Sequence, residues 1–137
     1  MGSLLETNVI SQRIKLRPHE GVMAWLRQAN HEETFLSVVT ICEIRTGIEL
    51  LLDEQKRRDL ESWLVKDIQR GYAGRILPVT EEVADLCGRL VARARKAKTS
   101  PEINDALIAA TAVVHGLTVA TLNWKHFVPL GVELVKF

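Results

Sequence analysis

An α/β fold, with a mostly parallel sheet covered by helices on both faces, follows from three observations on this sequence of 137 residues. Short apolar runs of strand length alternate with longer segments of helical periodicity. The runs are continuously apolar rather than alternating, as strands buried on both faces require. No Ser/Gly-rich or Pro-rich linker and no internal repeat divides the chain. Area scaling for this length leaves roughly 7,200 Å² exposed of about 22,000 Å² in the open chain, enough burial for one core. A second domain would bring each half near the size that needs disulfides or metals, and two cysteines cannot form a disulfide framework. Residues 1–137 therefore read as a single domain. Met1-Gly2-Ser3 has the form of a cloning scar and carries no functional weight.

The elements follow in order. Leu4-Leu5 is the first strand, ended by Glu6. Glu20 to Ala29 carries Val22, Trp25, Leu26 and Ala29 at helical spacing. Phe35 to Val38 is the second strand, and Ile41, Ile44, Ile48, Leu51 and Leu52 mark a helix beginning near Thr40. Asp53 to Lys66 reads as a polar, solvated helix face. Ile76-Leu77 is the third strand. Thr80 then caps a helix with Glu81 and Glu82 in its first turn, which runs through Val83, Leu86, Leu90 and Val91 to a basic end. Ala106 to Val114 is small or apolar all round, the pattern of a helix buried in mid-domain. Leu117 to Ala120 and Val132 to Val135 complete the strands.

The charge balance, 18 basic against 17 acidic residues, removes the global field of many non-specific nucleic-acid binders, so distribution decides. No apolar run reaches the length of about 18 residues that spans a bilayer. The longest, Ala106 to Ala120, is broken by His115-Gly116. There is no basic segment followed by an apolar one at the start. Cys42 and Cys87 lie in apolar surroundings without a CxxC spacing. These features predict a soluble protein of a reducing cytoplasm, with no membrane partner.

Functional groups in open α/β sheets collect beyond the carboxyl ends of the strands. Glu6, Glu43, Asp105 and Asn123 fall there. Asp105 has no cation three or four positions away on its own helix, so any partner comes from elsewhere. Its plain structural reading is a first-turn acid favoured by the helix dipole after Thr99-Ser100-Pro101. Arg45 and Glu49 can pair in water, whereas Glu43 is angularly close to Val39, Gly47 and Leu50, an awkward place for a charge. Glu43 also has a plain reading, a partly exposed glutamate, and Glu6 one as an acid at a strand-to-helix junction. Three carboxylates at one sheet edge raise each other's pKa unless a cation intervenes. Hard oxygen ligands, without a Cys/His set, favour Mg²⁺ or Mn²⁺ over zinc. Such ions polarise phosphoryl oxygens and acidify water for in-line attack.

Basic residues flank these acids. Arg13, Lys15 and Arg17 follow Glu6, and Arg93, Arg95, Lys96 and Lys98 precede Asp105. An acidic centre with a basic rim suits a phosphodiesterase, the rim holding phosphates beside the scissile one. The plain reading of each basic run is a solvated helix end. Trp124, beside Asn123, either stacks on a base or covers a core edge.

The chain resembles the PIN-domain ribonucleases of the VapC toxin class, including FitB-like proteins. The likeness rests on Leu4-Leu5-Glu6-Thr7-Asn8-Val9-Ile10-Ser11 and on Leu36-Ser37-Val38-Val39-Thr40 leading to Glu43-Ile44 and Gly47-Ile48. It continues in Arg75 to Val79, in Asp105 to Ala112, and in His115-Gly116-Leu117-Thr118 through Thr121 and Asn123 to Phe127. The resemblance implies a three-layer PIN-like sandwich with strand order 3-2-1-4-5, a homodimer, and endoribonuclease activity dependent on Mg²⁺ or Mn²⁺. It places the metal-binding acids at Glu6, Glu43 and Asp105, and Asn123 and Thr121 in a final polar motif. Thr7, Asn8 and His126 support the site, and Arg13, Lys15, Arg93, Arg95 and Lys96 are the candidate RNA contacts. The implied partners are RNA and a small VapB-like antitoxin whose C-terminal segment blocks the site, with promoter DNA bound only through that antitoxin.

Three positions depart from the family pattern. Glu6 stands where Asp is usual, Leu122 where Arg is usual, and His126 where an acid is frequent. The extra methylene of Glu6 displaces its carboxylate by up to about 1.5 Å, and a misplacement of roughly 1 Å can cost on the order of 10²-fold in rate. His126 is either a surface histidine or a ligand for Mn²⁺. The competing reading is thus a PIN-like module, weakened in catalysis, that binds antitoxin or RNA. A receiver-like or nucleotide-binding α/β domain is disfavoured, since neither GxxxxGK[ST] nor GxGxxG occurs.

Overall fold

Strand residues in a sheet covered on both sides bury alternately on its two faces. The computed structural model of the protein, which describes residues 2–137, shows this alternation in every strand. Met1 lies outside the described residues. Four strands, β1 (Ser3–Leu5), β2 (Thr34–Ser37), β3 (Ile76–Leu77) and β4 (Thr118–Ala120), form a parallel sheet in the order β3-β2-β1-β4. Leu4, Phe35, Leu77 and Val119 face one apolar cluster, and Leu5, Leu36, Ile76 and Ala120 face the other. The expected α/β sandwich is the architecture observed.

The helices divide between the two faces. They are α1 (Thr7–Ile10), α2 (Glu20–Gln28), α3 (Val38–Glu49), α4 (Glu54–Trp63), α5 (Glu81–Lys96), α6 (Ile103–Val114) and α7 (Trp124–Phe127). Val83, Cys87 and Leu90 of α5 pack with Ala106, Ile108, Ala109 and Ala112 of α6 on the Leu4 side. Val9, Val22, Ile44 and Ile48, from α1, α2 and α3, fill the other side with Leu64, Ile68 and Tyr72. Leu64 and Ile68 belong to a π-helix, Leu64–Arg70, that continues α4. Two-residue β3 has little pairing of its own, and Arg75 secures it. Its guanidinium donates to the carbonyls of His31, Thr34 and Gly71 and lies 4.8 Å from the Tyr72 ring centroid.

Several expectations are corrected in detail. Val132 to Val135 contributes only one bridge, Val119 to Leu134, so the fifth place in the 3-2-1-4-5 order is a single paired residue. The chain reaches it through Gly131, held at φ 70°, after α7 and a 3₁₀ turn, and it meets a β4 of only three residues. The helix expected near Thr40 starts at Val38, because the Ser37 hydroxyl accepts from Val39 N at 3.0 Å and caps it. Ser3 is a strand residue, paired with Thr34 and Thr118, with its hydroxyl 2.9 Å from that of Thr118. Cys87 is buried, but Cys42 is exposed, because α3 turns Val39, Ile44 and Ile48 inward and Cys42 falls on the opposite face. Thr80 caps α5 as expected, accepting from Val83 N at 3.2 Å. Among the described residues, no helix is long and apolar enough to cross a membrane.

Candidate active site

Because the sheet is parallel, the carboxyl ends of β1, β2 and β4 open on one edge, and the residues that leave them meet there. Glu6 leaves β1 with its backbone N–H donating to Ala120 O at 2.9 Å. Its carboxylate caps α1, with Oε2 accepting from Asn8 N at 3.3 Å and from the Thr121 hydroxyl at 3.4 Å. Only 4% of Glu6 is exposed. Burial pushes its pKa up to about 7, with the charges of Glu43 and Asp105 adding to that push while the Asn8 N–H and the Thr121 hydroxyl oppose it.

Glu43 projects from the flank of α3, half-buried, and accepts a 2.7 Å hydrogen bond at Oε1 from the Thr7 hydroxyl. Thr7 Oγ1 also stands 3.2 Å from the buried Thr40 hydroxyl. Arg45 pairs with Glu49 at 3.6 Å and with Glu61 at 3.3 Å, on the wet side of the helix as expected. Asp105 is buried in the first turn of α6 and finds its partner on α7, where His126 Nδ1 lies 3.4 Å from Oδ2. Burial raises the Asp105 pKa and the charge of Glu102 adds to it, while His126 acts in the opposite direction. Thr121 accepts from Asn123 N at 2.9 Å. Asn8 Oδ1 accepts from Leu122 N at 3.1 Å, tying the exits of β1 and β4 together, and its Nδ2 is buried without a partner. Asn123 is exposed, and its side chain does not cap α7.

Two cavities reach two of these acids, one at Glu43 and one at Asp105. A groove of about 1110 Å³ contains Glu43 and Thr7, apolar walls from Ile48, Leu60 and Trp63, and Lys15, Arg17 and Lys56. Leu16 and Leu52 nearby in the chain project fully into solvent. The exposed surface, 8155 Å², exceeds the roughly 7,200 Å² of area scaling. A second pocket, of about 260 Å³, holds Asp105 and His126 with Glu102 and Lys125. Of the basic candidates, Lys15 lines the groove. Arg13, Arg93, Arg95 and Lys96 are exposed and line neither cavity. Trp124 is half-exposed beside Asn123. Sequence reasoning passed over Lys56, Glu102 and Lys125, since an exposed charge on a polar helix or loop carries no signal of the cavity beside it.

The acids share a field without sharing a ligand cluster. Among the described residues, no three His, Cys, Asp or Glu side chains stand together closely enough to hold one metal ion. Glu6 folds back onto its own helix cap, and Asp105 is drawn towards His126.

The family model for the PIN domain matches residues 3–128. The chain belongs to the PIN-domain family. This PIN domain is similar to Toxin FitB of Neisseria gonorrhoeae, at 42% identity over 124 residues that cover 90% of this chain and 89% of that protein. It is similar to VapC ribonuclease Y4jK of Sinorhizobium fredii, at 33% identity over 136 residues covering 97% of this chain and 95% of that one. Its fold matches the crystal structure of FitAcB from Neisseria gonorrhoeae with a TM-score of 0.92 and 38% identity, over 98% of this chain and 96% of that chain.

Within this PIN domain the donor set suits a hard divalent cation in kind. Three carboxylates provide oxygen ligands, and Glu6, pushed up to about 7 chiefly by burial and further by the charges of Glu43 and Asp105, is a carboxyl whose charged form a nearby cation would favour. Mg²⁺ commonly takes one or two carboxylates and keeps several waters, so it does not require all three acids at once.

Proposed function

We propose that this PIN domain is an endoribonuclease toxin that depends on Mg²⁺ or Mn²⁺ and is held in check by a cognate antitoxin. The observation that carries this reading is Glu6, a buried carboxyl made hard to ionise by burial and by Glu43 and Asp105, at the edge where strands β1, β2 and β4 end. Glu6, Glu43 and Asp105 would between them hold one or two such ions, each on one or two carboxylates. When bound, the ion supplies electrophilic stabilisation of a phosphoryl oxygen and lowers the pKa of an attacking water.

The protein's own groups do the rest. Thr7 orients the Glu43 carboxylate, and Asn8 fixes the backbone at Leu122, next to Thr121, whose hydroxyl meets Glu6 and accepts from Asn123 N. Asn123 positions a ligand or water. Lys15 in the groove, with Arg13, Arg93, Arg95 and Lys96 around the rim, meets flanking phosphates of RNA. The apolar groove beside Glu43 accepts the antitoxin segment, whose docking closes access to the acid. The toxin works as a homodimer in the cytoplasm, and promoter DNA is contacted only through the antitoxin. The names carried by the FitB and Y4jK relatives support toxin and ribonuclease roles.

A second reading, a PIN module with weakened catalysis that binds antitoxin or RNA, is favoured by one observation: the longer Glu6 side chain is engaged by Asn8 and Thr121 rather than gathered with the other acids. Cleavage of structured RNA separates the two. The chain, Glu6→Asp and Asp105→Asn are compared with Mg²⁺ or Mn²⁺, with and without chelator. Activity that ignores chelator, or that survives Asp105→Asn, would sink the metal reading. Silence in this chain with cleavage by Glu6→Asp establishes the second.

A further inference from the structure

The pocket beside Asp105 contains groups for which phosphodiester hydrolysis has no use. Pro101 and Pro129 contribute flat apolar surfaces, and the ring of His126 lines the same pocket, with Nδ1 3.4 Å from Asp105 Oδ2. The volume, about 260 Å³, lies below the roughly 300–1,000 Å³ of pockets that enclose whole small molecules. It suits one planar heterocycle.

Glu102 is the informative residue. It occupies the cap position of α6, its side chain makes no capping hydrogen bond, and it lines the pocket. An acid there repels phosphate, and on a surface that meets RNA it is better suited to reading a base. A carboxylate offers acceptors only. Guanine presents N1–H and the N2 amino group side by side and can donate to both oxygens. Cytosine and adenine present one amino donor each beside a ring acceptor. Uracil presents a single N–H flanked by two carbonyl oxygens that a carboxylate repels. Sequence-specific RNA recognition commonly takes unpaired bases stacked on flat side chains and bonded along their Watson–Crick edges. Lys125, exposed at the same pocket, can meet the phosphate of the nucleotide whose base enters.

We propose that the pocket between Pro101 and Pro129 is a base-recognition site for one unpaired guanine of the RNA substrate, with Glu102 reading its Watson–Crick edge. The inference rests on the ribonuclease reading for its substrate class. It places the selected nucleotide next to Asp105, and therefore next to the bond that is cut.

The test is fluorescence anisotropy with labelled five-nucleotide RNAs, U-U-N-U-U with N as each of the four bases, in chelator so that nothing is cleaved. The guanine oligomer should bind about 5- to 100-fold more tightly than the all-uracil one, the range expected of one bidentate base contact. Glu102→Gln should bring the two within about twofold, and Lys125→Gln should weaken all four alike with a shallower salt dependence. Glu102 and Lys125 are both exposed, so neither variant disturbs the core. Equal binding of all four oligomers, binding of none, or a guanine preference that persists in Glu102→Gln overturns the pocket. Cleavage assayed separately keeps the two proposals apart. Guanine preference without cleavage overturns the activity and leaves the pocket standing, while cleavage without base preference does the reverse.

Discussion

The Thr7 hydroxyl donates to Glu43 Oε1 at 2.7 Å, joining the first residue of α1 to the second turn of α3. Among the side-chain contacts at this edge it is the shortest of those described above, and it sets the direction in which the Glu43 carboxylate points. Thr7→Val keeps the shape and removes the donor. Cleavage should fall about 10- to 100-fold, as a carboxylate displaced by up to roughly 1 Å would produce. Mn²⁺ affinity measured by calorimetry should fall with it, and Thr7→Ser should restore both. Unchanged Mn²⁺ affinity in Thr7→Val would remove Thr7 from the site.

Glu6 gives the metal-free protein a distinctive pH dependence. Its folded pKa, about 7, lies above the ordinary value of 4.5, so the folded state binds this proton more tightly than the unfolded state does. The stability it contributes is fully present below pH 4.5 and is lost as pH rises towards and through 7. Urea denaturation in chelator should show a loss of at most about 3 kcal/mol across that window. Glu6→Gln should flatten the profile, and added Mn²⁺ should restore stability most at the alkaline end.

Shortening that acid should improve catalysis. In Glu6→Asp the carboxylate can still cap α1, since Asp is among the preferred capping residues, while the extra methylene is gone. Cleavage of structured RNA with Mg²⁺ should rise by about 10-fold or more. Asp105→Asn in the same background should abolish it. An Asp variant no faster than the parent chain would show that side-chain length does not limit the site.

Asn8 joins two strand exits, and its loss should be felt in stability as well as activity. Asn8→Ala leaves Leu122 N–H without its acceptor and should destabilise the fold by about 1–2 kcal/mol. The unpartnered Nδ2 is removed at the same time, which holds the cost to the lower part of the range for a buried polar group. Thermal denaturation of the two proteins at matched pH measures it. A variant as stable as the parent would mean that solvent replaces the Asn8 bond at no cost.

Much of the fold was legible because burial leaves a periodic trace. The apolar runs at Leu4-Leu5, Phe35-Leu36, Ile76-Leu77 and Val119-Ala120 place successive residues in the two opposite clusters, and Thr80 with its two following acids marks the start of α5. The fifth strand was less legible. Val132 to Val135 has the composition of a strand, but pairing depends on how Gly131 aims the chain against a β4 of three residues.

By itself the sequence determined the order of the elements, the acids after the first strand, in the helix after the second strand and in the first turn of α6, and the absence of any cation on the helix of Asp105. Those are properties of spacing along one chain. Tertiary structure alone decided that His126 is the partner of Asp105, that Thr7 serves Glu43, that Glu102 and Lys125 share a pocket with Asp105, and that Glu43 and Asp105 act on Glu6 without clustering with it. Each of these depends on distances across the sheet edge, where residues 21 to 115 positions apart are brought within a few ångströms, and side-chain direction there is fixed by local caps and hydrogen bonds that periodicity does not encode.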